Sequence, residues 1–285
     1  MAFQAQLQSV LVPQPNGNVE FSWINARYNG KSILAEVHAL EGNTCVFEAF
    51  CSGAAMAVQK DAASNHKTSD IRFNVRSLVM DYESHTSRTL AKESNSQLPS
   101  DLREKTVIQL FQKNGVLASS ASWEGEQRIK LTRYLHSRLP QFDKIADFIR
   151  QGKPIMGSYS SGYSRLFRTL GPNDIYNFAL DPSNPNDRVE ASHFVLFVGY
   201  GFEGGSSGKP YLIFLNSHGV EFGDNGFGRI YFDVIYRNSF YVLTAVAPPV
   251  VPKECGTSTS AAKFPDEDPD DRPTQRRRLN TGRDN

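Results

Sequence analysis

The chain has 285 residues, enough for one large domain or for two lobes around a good core. Its hydrophobic (39%) and charged (21%) content is that of a soluble globular protein. The 31 basic and 30 acidic residues leave a net charge of +1, so no global field recruits nucleic acid or an anionic membrane. The N-terminus has no basic region leading into a long apolar core, and no run approaches eighteen apolar residues; neither a signal peptide nor a membrane span is expected. Cys45, Cys51 and Cys255 are an odd, low count without spaced pairs, which points to a reducing compartment.

In chain order, residues 1–18 are rich in Gln, Pro and Asn and read as a loose lead-in. Trp23 follows, 22 positions before Cys45. From Cys45 onward, Phe47, Phe50, Cys51, Ala54, Ala55 and Val58 recur at helical spacing, with Asn43 or Thr44 as N-cap, so Cys45 falls in a first helical turn. On that helix Cys45 and Cys51 would stand about 9 Å apart along the axis, too far for a disulfide. Residues 60–106 are polar around one apolar island, Val75–Tyr82. A helix over Val107–Lys113 ends at Asn114-Gly115, and a short helix over Ile145–Ile149 feeds a strand at Ile155.

After a Pro/Asn/Asp loop at 171–190, His193–Val198 and Tyr211–Leu215 read as two buried strands joined by a Gly- and Ser-rich hairpin loop. Antiparallel pairing brings His193, which opens one strand, to the same sheet end as Asn216, which closes the other. Gly199–Gly204 matches G-x-G-x-x-G literally, but the dinucleotide site needs a helix next and here a second strand follows. Val234–Val246 supplies the last strand or two. Residues 249–285 carry an acidic run and then Arg276-Arg277-Arg278, the composition of a disordered charged tail. The six histidines show no metal-ligand spacing, so neither metal nor cofactor is expected.

His193, Val198-Gly199-Tyr200-Gly201, Tyr211, Asn216-Ser217-His218-Gly219, Gly223, Gly226, Phe227 and Ile230 together resemble the His-to-Asn half of papain-like cysteine proteases. The Cys45 helix is similar to that family's nucleophile helix, and the 148 positions from Cys45 to His193 fit its ~130–150 spacing. Leu78-Val79-Met80-Asp81-Tyr82 resembles a segment that carries a disulfide cysteine in the family; Tyr82 stands in the Cys place, and the partner before Cys45 is missing too. The long inhibitory propeptide has no counterpart, so an active protein needs some other restraint.

The resemblance implies an α+β, two-lobed papain-like fold over residues 19–248: a helical lobe over 19–145 and an antiparallel β-barrel-like lobe over 146–248. It implies a Cys45–His193–Asn216 site that cleaves peptide bonds through a thiolate and an imidazolium, acting on a peptide or protein substrate. A helix N-terminus and an adjacent imidazolium both lower a thiol pKa, and Asn216 would orient the ring. Two positions depart from the family. The family's oxyanion-hole Gln, six residues before its Cys, falls nearest Glu41, four before Cys45. The Glu41 carboxylate repels an oxyanion, with Asn43 as a substitute donor; losing one donor costs ~10²–10³ in rate. The Trp that shields the Asn–His bond is His218. These replacements frame the alternative, a degenerate papain-like protein that keeps its cleft as a peptide-binding module. The expected location is cytoplasmic or nuclear; typical family members are lysosomal, vacuolar or extracellular. The sequence does not fix an oligomeric state.

Overall fold

The structure is a computed structural model that describes residues 10–39, 42–90, 102–138, 140–160, 165–177, 192–235 and 240–246. The charged tail expected over 249–285 lies outside the described residues.

Two long apolar segments organise the fold. The first is helix α1, Cys45–Ser64, whose opening half is buried on nearly every side, as Val46, Phe47, Ala49, Phe50, Gly53 and Ala54 show. A helix apolar all round belongs inside a protein rather than on its surface. The second is an eleven-residue strand, Ser192–Phe202, buried along all but its first residue. A strand covered on both faces reads as a continuous apolar run, and that is how His193–Val198 reads in the sequence.

In chain order the described strands are β1 Val12–Pro13, β2 Val19–Ser22, β3 Arg72–Phe73, β4 Val116–Ser119, β5 Gln127–Ile129, β6 Leu131–Ser137, β7 Ile155–Ser160, β8 Ile175–Tyr176, β9 Ser192–Phe202, β10 Pro210–Leu215, β11 Phe227–Tyr231 and β12 Phe240–Val246. The helices after α1 are α2 Val75–Thr86, α3 Leu102–Lys113, α4 Phe142–Arg150 and the single turn α5 Arg165–Arg168. The large sheet runs β6-β12-β7-β9-β10-β11-β8, with β2 on β9 and β1 on β2; β3-β4-β5 form a small sheet among the helices. All pairs in the large sheet are antiparallel except β8 with β11. The α+β papain-like fold is therefore present, with helices α1–α3 on one side of the chain and most of the sheet after residue 150.

Two expected boundaries move. Part of the lead-in expected over 1–18 is paired instead, because Val12 pairs with Glu20 and Pro13 with Val19. Strands β2 and β6, both ahead of residue 146, join the large sheet through β9 and β12. The sheet thus recruits chain from the span assigned to the helical lobe. Strand β6 has four exposed positions, and its apolar residues Leu131, Tyr134 and Leu135 do not alternate, so it gives no periodic signal to announce this.

Val198 is the extra residue of a bulge in β9, since Gly199 pairs with Ile213 while Phe197 pairs with Phe214. An inserted residue switches the side-chain alternation. On the near side of the bulge, Phe194 stacks on Phe50 of α1 at 5.5 Å. Beyond it, Tyr200 and Phe202 meet Phe142 of α4 at 6.1 and 5.3 Å. The Gly-Tyr-Gly that follows the bulge is structural. A Cβ on Gly199 would lie 2.7 Å from the Phe21 carbonyl oxygen, and one on Gly201 would lie 2.5 Å from the Tyr211 ring and 2.7 Å from the Val19 carbonyl oxygen. Only glycine lets β2 pass this close.

Two further contacts fix the frame. Trp23 Nε1 donates to the Ile149 carbonyl at 2.6 Å, tying the segment after β2 to α4. Glu20 accepts from Arg229 Nε at 2.6 Å, Arg229 Nη2 at 3.1 Å and the Tyr211 hydroxyl at 2.6 Å, all buried. Among the described residues no helix is long and apolar enough to cross a membrane.

Candidate active site

Cys45 is the first residue of α1, with Thr44 at the N-cap position and no capping bond from the Thr44 side chain. The turn geometry is set by Gly42 at φ +76°. The thiol is half-buried, and it receives backbone N–H bonds from Phe194 of β9 and from Val46. The first residue of α1 therefore touches the residue that follows His193. Burial pushes the Cys45 thiol up; the Phe194 N–H and the Arg103 charge pull it down, and Glu104 pushes it up again. Arg103 and Glu104, on the first turn of α3, are buried near the thiol.

His193 Nε2 is 2.7 Å from Asn216 Oδ1, with the two side chains 6% and 2% exposed. An amide oxygen only accepts, so Nε2 carries the proton and Nδ1 keeps its lone pair on the opposite side of the ring. Burial lowers His193 to about 4, against the opposing pull of the Asn216 bond, and the nearby His218 adds to the depression. Burial thus pushes both groups toward their neutral forms, a thiol and an imidazole.

Asn216 is held by its own backbone, because its N–H donates to the Gly226 carbonyl at 2.9 Å. Gly226 has φ +93°, and any Cβ there would collide with Val37. Only glycine suits both demands. The hairpin register, with Leu215 opposite Leu196, delivers Asn216 to the same sheet end as His193.

His218 is exposed, and its ring lies 5.0 Å from that of His193 at a 31° tilt. Partial burial and then the Arg168 charge hold its pKa down. Two aromatic rings that the sequence reading missed close the enclosure. Phe167 lies 5.7 Å from His193 and 6.0 Å from His218, and Tyr159 stands edge-on to His193 at 5.8 Å. Tyr159 had a findable signal, since it pairs with His193 across β7 and β9. Phe167 had none, coming from a one-turn helix in a polar stretch.

Glu41 lies outside the described residues. Asn43 is exposed just ahead of Thr44. Ala39, six residues before Cys45, pairs with His218, and the His38 carbonyl accepts from the Gly219 N–H at 3.0 Å. The residue at the family's spacing is thus a methyl that cannot donate. Among the described residues no group of His, Cys, Asp and Glu could hold a metal ion. Where the family has a disulfide cysteine, Tyr82 packs edge-on against Phe47 of α1 at 5.2 Å.

The family model for papain family cysteine proteases matches residues 172–245, a span that contains His193 and Asn216 but not Cys45. No curated protein matches the sequence. Solved structures match the fold. Xylellain, a cysteine protease from Xylella fastidiosa, aligns with a TM-score of 0.56 and 14% identity over 85% of this chain and 89% of its own. A structure solved to explain limited antibody cross-reactivity between the mite allergens Blo t 1 and Der p 1 aligns with a TM-score of 0.53 and 17% identity, over 84% of this chain and 76% of its own.

Proposed function

We propose that this papain-like chain is a cysteine-type peptidase acting on peptide or protein substrates through Cys45, His193 and Asn216. The observation that carries the reading is the buried 2.7 Å bond from His193 to Asn216, beside a helix-terminal thiol bonded to the Phe194 amide. With Nε2 committed to Asn216, the Nδ1 lone pair is the base. It takes the Cys45 proton as sulfur attacks the scissile carbonyl, and the Cys45 N–H stabilises the oxyanion. The imidazolium then protonates the leaving amine, and a thioester remains on Cys45. Water, deprotonated by the same nitrogen, attacks the thioester; the carboxylic acid leaves and the thiol regains its proton. Asn216 holds the ring through both proton transfers, and the Phe167, Tyr159 and His218 rings keep water off the bond that orients it.

Ala39 supports the second reading, a weak or degenerate peptidase whose cleft binds peptides. Lacking a side-chain donor there, the site has the Cys45 amide and gives up ~10²–10³ in rate unless the substrate brings another donor into place. Hydrolysis of a fluorogenic peptide library by the wild-type protein and by Cys45→Ala separates the two. Turnover that vanishes in the variant supports the peptidase. Peptide binding without turnover in either protein supports the binding module.

A further inference from the structure

We propose that Glu48 is a positioning residue for the His193–Asn216 pair, acting through one water molecule held between its carboxyl group, the Asn216 amide and the Ser217 hydroxyl. The inference rests on the reading of Cys45, His193 and Asn216 given above. Glu48 Oε2, Asn216 Nδ2 and Ser217 Oγ are buried polar atoms without a hydrogen-bond partner. All three residues line one cavity of about 10 Å³ between α1 and the start of β9, the end of β10 and the Asn216 corner. About 10–15 Å³ holds one water, and a buried water needs two to four polar partners. Leaving three buried polar atoms unpaired would cost about 1–3 kcal/mol each, so a site of this size and polarity binds water.

The positioning role follows from the Asn216 amide. Its oxygen faces His193 Nε2, so its NH2 faces away from the ring, and Asn216 lines the small cavity. An acceptor there fixes the amide against a flip. A flipped amide would present N–H to Nε2, select the other tautomer, and put the proton on the nitrogen that should accept from Cys45. The water accepts from Nδ2 and donates to Glu48, which stands one turn along α1 from Cys45. Nothing in the sequence singles out Glu48, which stands at the edge of the apolar stripe of the helix.

Burial raises Glu48 to about 7, so its charge changes near neutrality. The titratable groups that face it are Cys51 one turn further along α1, Glu36 and His38 from the chain before Cys45, and Lys31, Lys67, Asp70 and Arg72 across the adjoining larger cavity. Arg72 is engaged by Glu36 at 2.7 Å.

The test is ¹⁵N NMR of the His193 ring and the Asn216 amide in the full chain, with the rate of Cys45 alkylation by iodoacetamide. Wild type should show the Nε2–H tautomer and an inflection of the Asn216 NH2 shift near pH 7. Glu48→Gln should keep the tautomer and lose the inflection. Glu48→Leu should mix the tautomers and slow alkylation about tenfold, the lower range for losing an outer-shell partner. If Glu48→Leu does not fold, Ser217→Ala replaces it and should shift the Asn216 NH2 resonance. A purely structural Glu48 would change thermal stability and leave tautomer and inflection as in wild type, which overturns the proposal. So does a crystal structure in which no water meets Asn216 Nδ2. A protein that hydrolyses no peptide still reports the tautomer, so the two failures are distinguishable.

Discussion

The neutral resting site predicts a particular pH profile for Cys45 and a particular way to break it. Burial holds the thiol above its ordinary value and lowers His193 to about 4. Without assistance, alkylation must proceed through thiolate, whose fraction falls tenfold for each pH unit below a pKa that burial holds above its ordinary value. An ordinary thiol at ~8.5 is thiolate in only about one molecule in 300 at pH 6, and burial leaves fewer. With His193 as base, the proton leaves as sulfur attacks, and the rate depends on neutral imidazole, which is present over the whole range above about pH 4. The wild-type rate should therefore rise around pH 4, hold a shelf through neutrality, and climb again once free thiolate forms at alkaline pH. His193→Ala should lose the shelf and fall behind by ~10²–10⁴ at pH 6, the usual contribution of a positioned base, while matching wild type near pH 10. Iodoacetamide labelling read by peptide mass spectrometry isolates Cys45 from Cys51 and Cys255. Superimposable profiles for the two proteins would refute the reasoning.

Stability carries the same signature. The folded His193 pKa of about 4 lies below the ordinary 6.5, so the unfolded chain binds more protons between those values and stability is lost as pH falls from 6.5 to 4. His193→Asn should remove up to about 3 kcal/mol of that pH dependence in urea titrations at pH 7 and pH 4. Arg229→Met strands the Glu20 carboxylate, and denaturant unfolding should show a loss of about 3–5 kcal/mol, whereas replacing both partners by apolar residues should cost much less. Gly226→Ala forces a side chain into φ +93° against Val37; it should cost about 1–3 kcal/mol and lower peptidase activity more than stability alone explains, since Gly226 carries the carbonyl that holds Asn216.

The sequence made the second half of the site legible because its constraints are backbone constraints. Gly199, Gly201 and Gly226 stand where strands cross or turn too tightly for a side chain, and such positions leave irregular glycines in fixed order around His193 and Asn216. The apolar runs of β9 and β10 and the stripe of α1 are strong local signals, and they placed Cys45 at a helix start. What was not legible depends on long-range packing. Strand β6 is exposed and polar and joins the sheet only because β12 offers an edge. Phe167, 26 residues before His193, shields it through a one-turn helix. The protonation states were also out of reach, since helix-dipole and charge arguments favour a thiolate while burial, visible only in the fold, favours the thiol.

A cysteine peptidase must acylate the sulfur at position 45 and then release it. Mixing the protein with a p-nitrophenyl ester of a blocked amino acid and following intact mass over time should show one acyl group on Cys45 that decays with turnover. His193→Ala should acylate slowly and retain the adduct. An acyl group that forms elsewhere, or on Cys45 at the same rate with and without His193, would contradict the assignment of these residues.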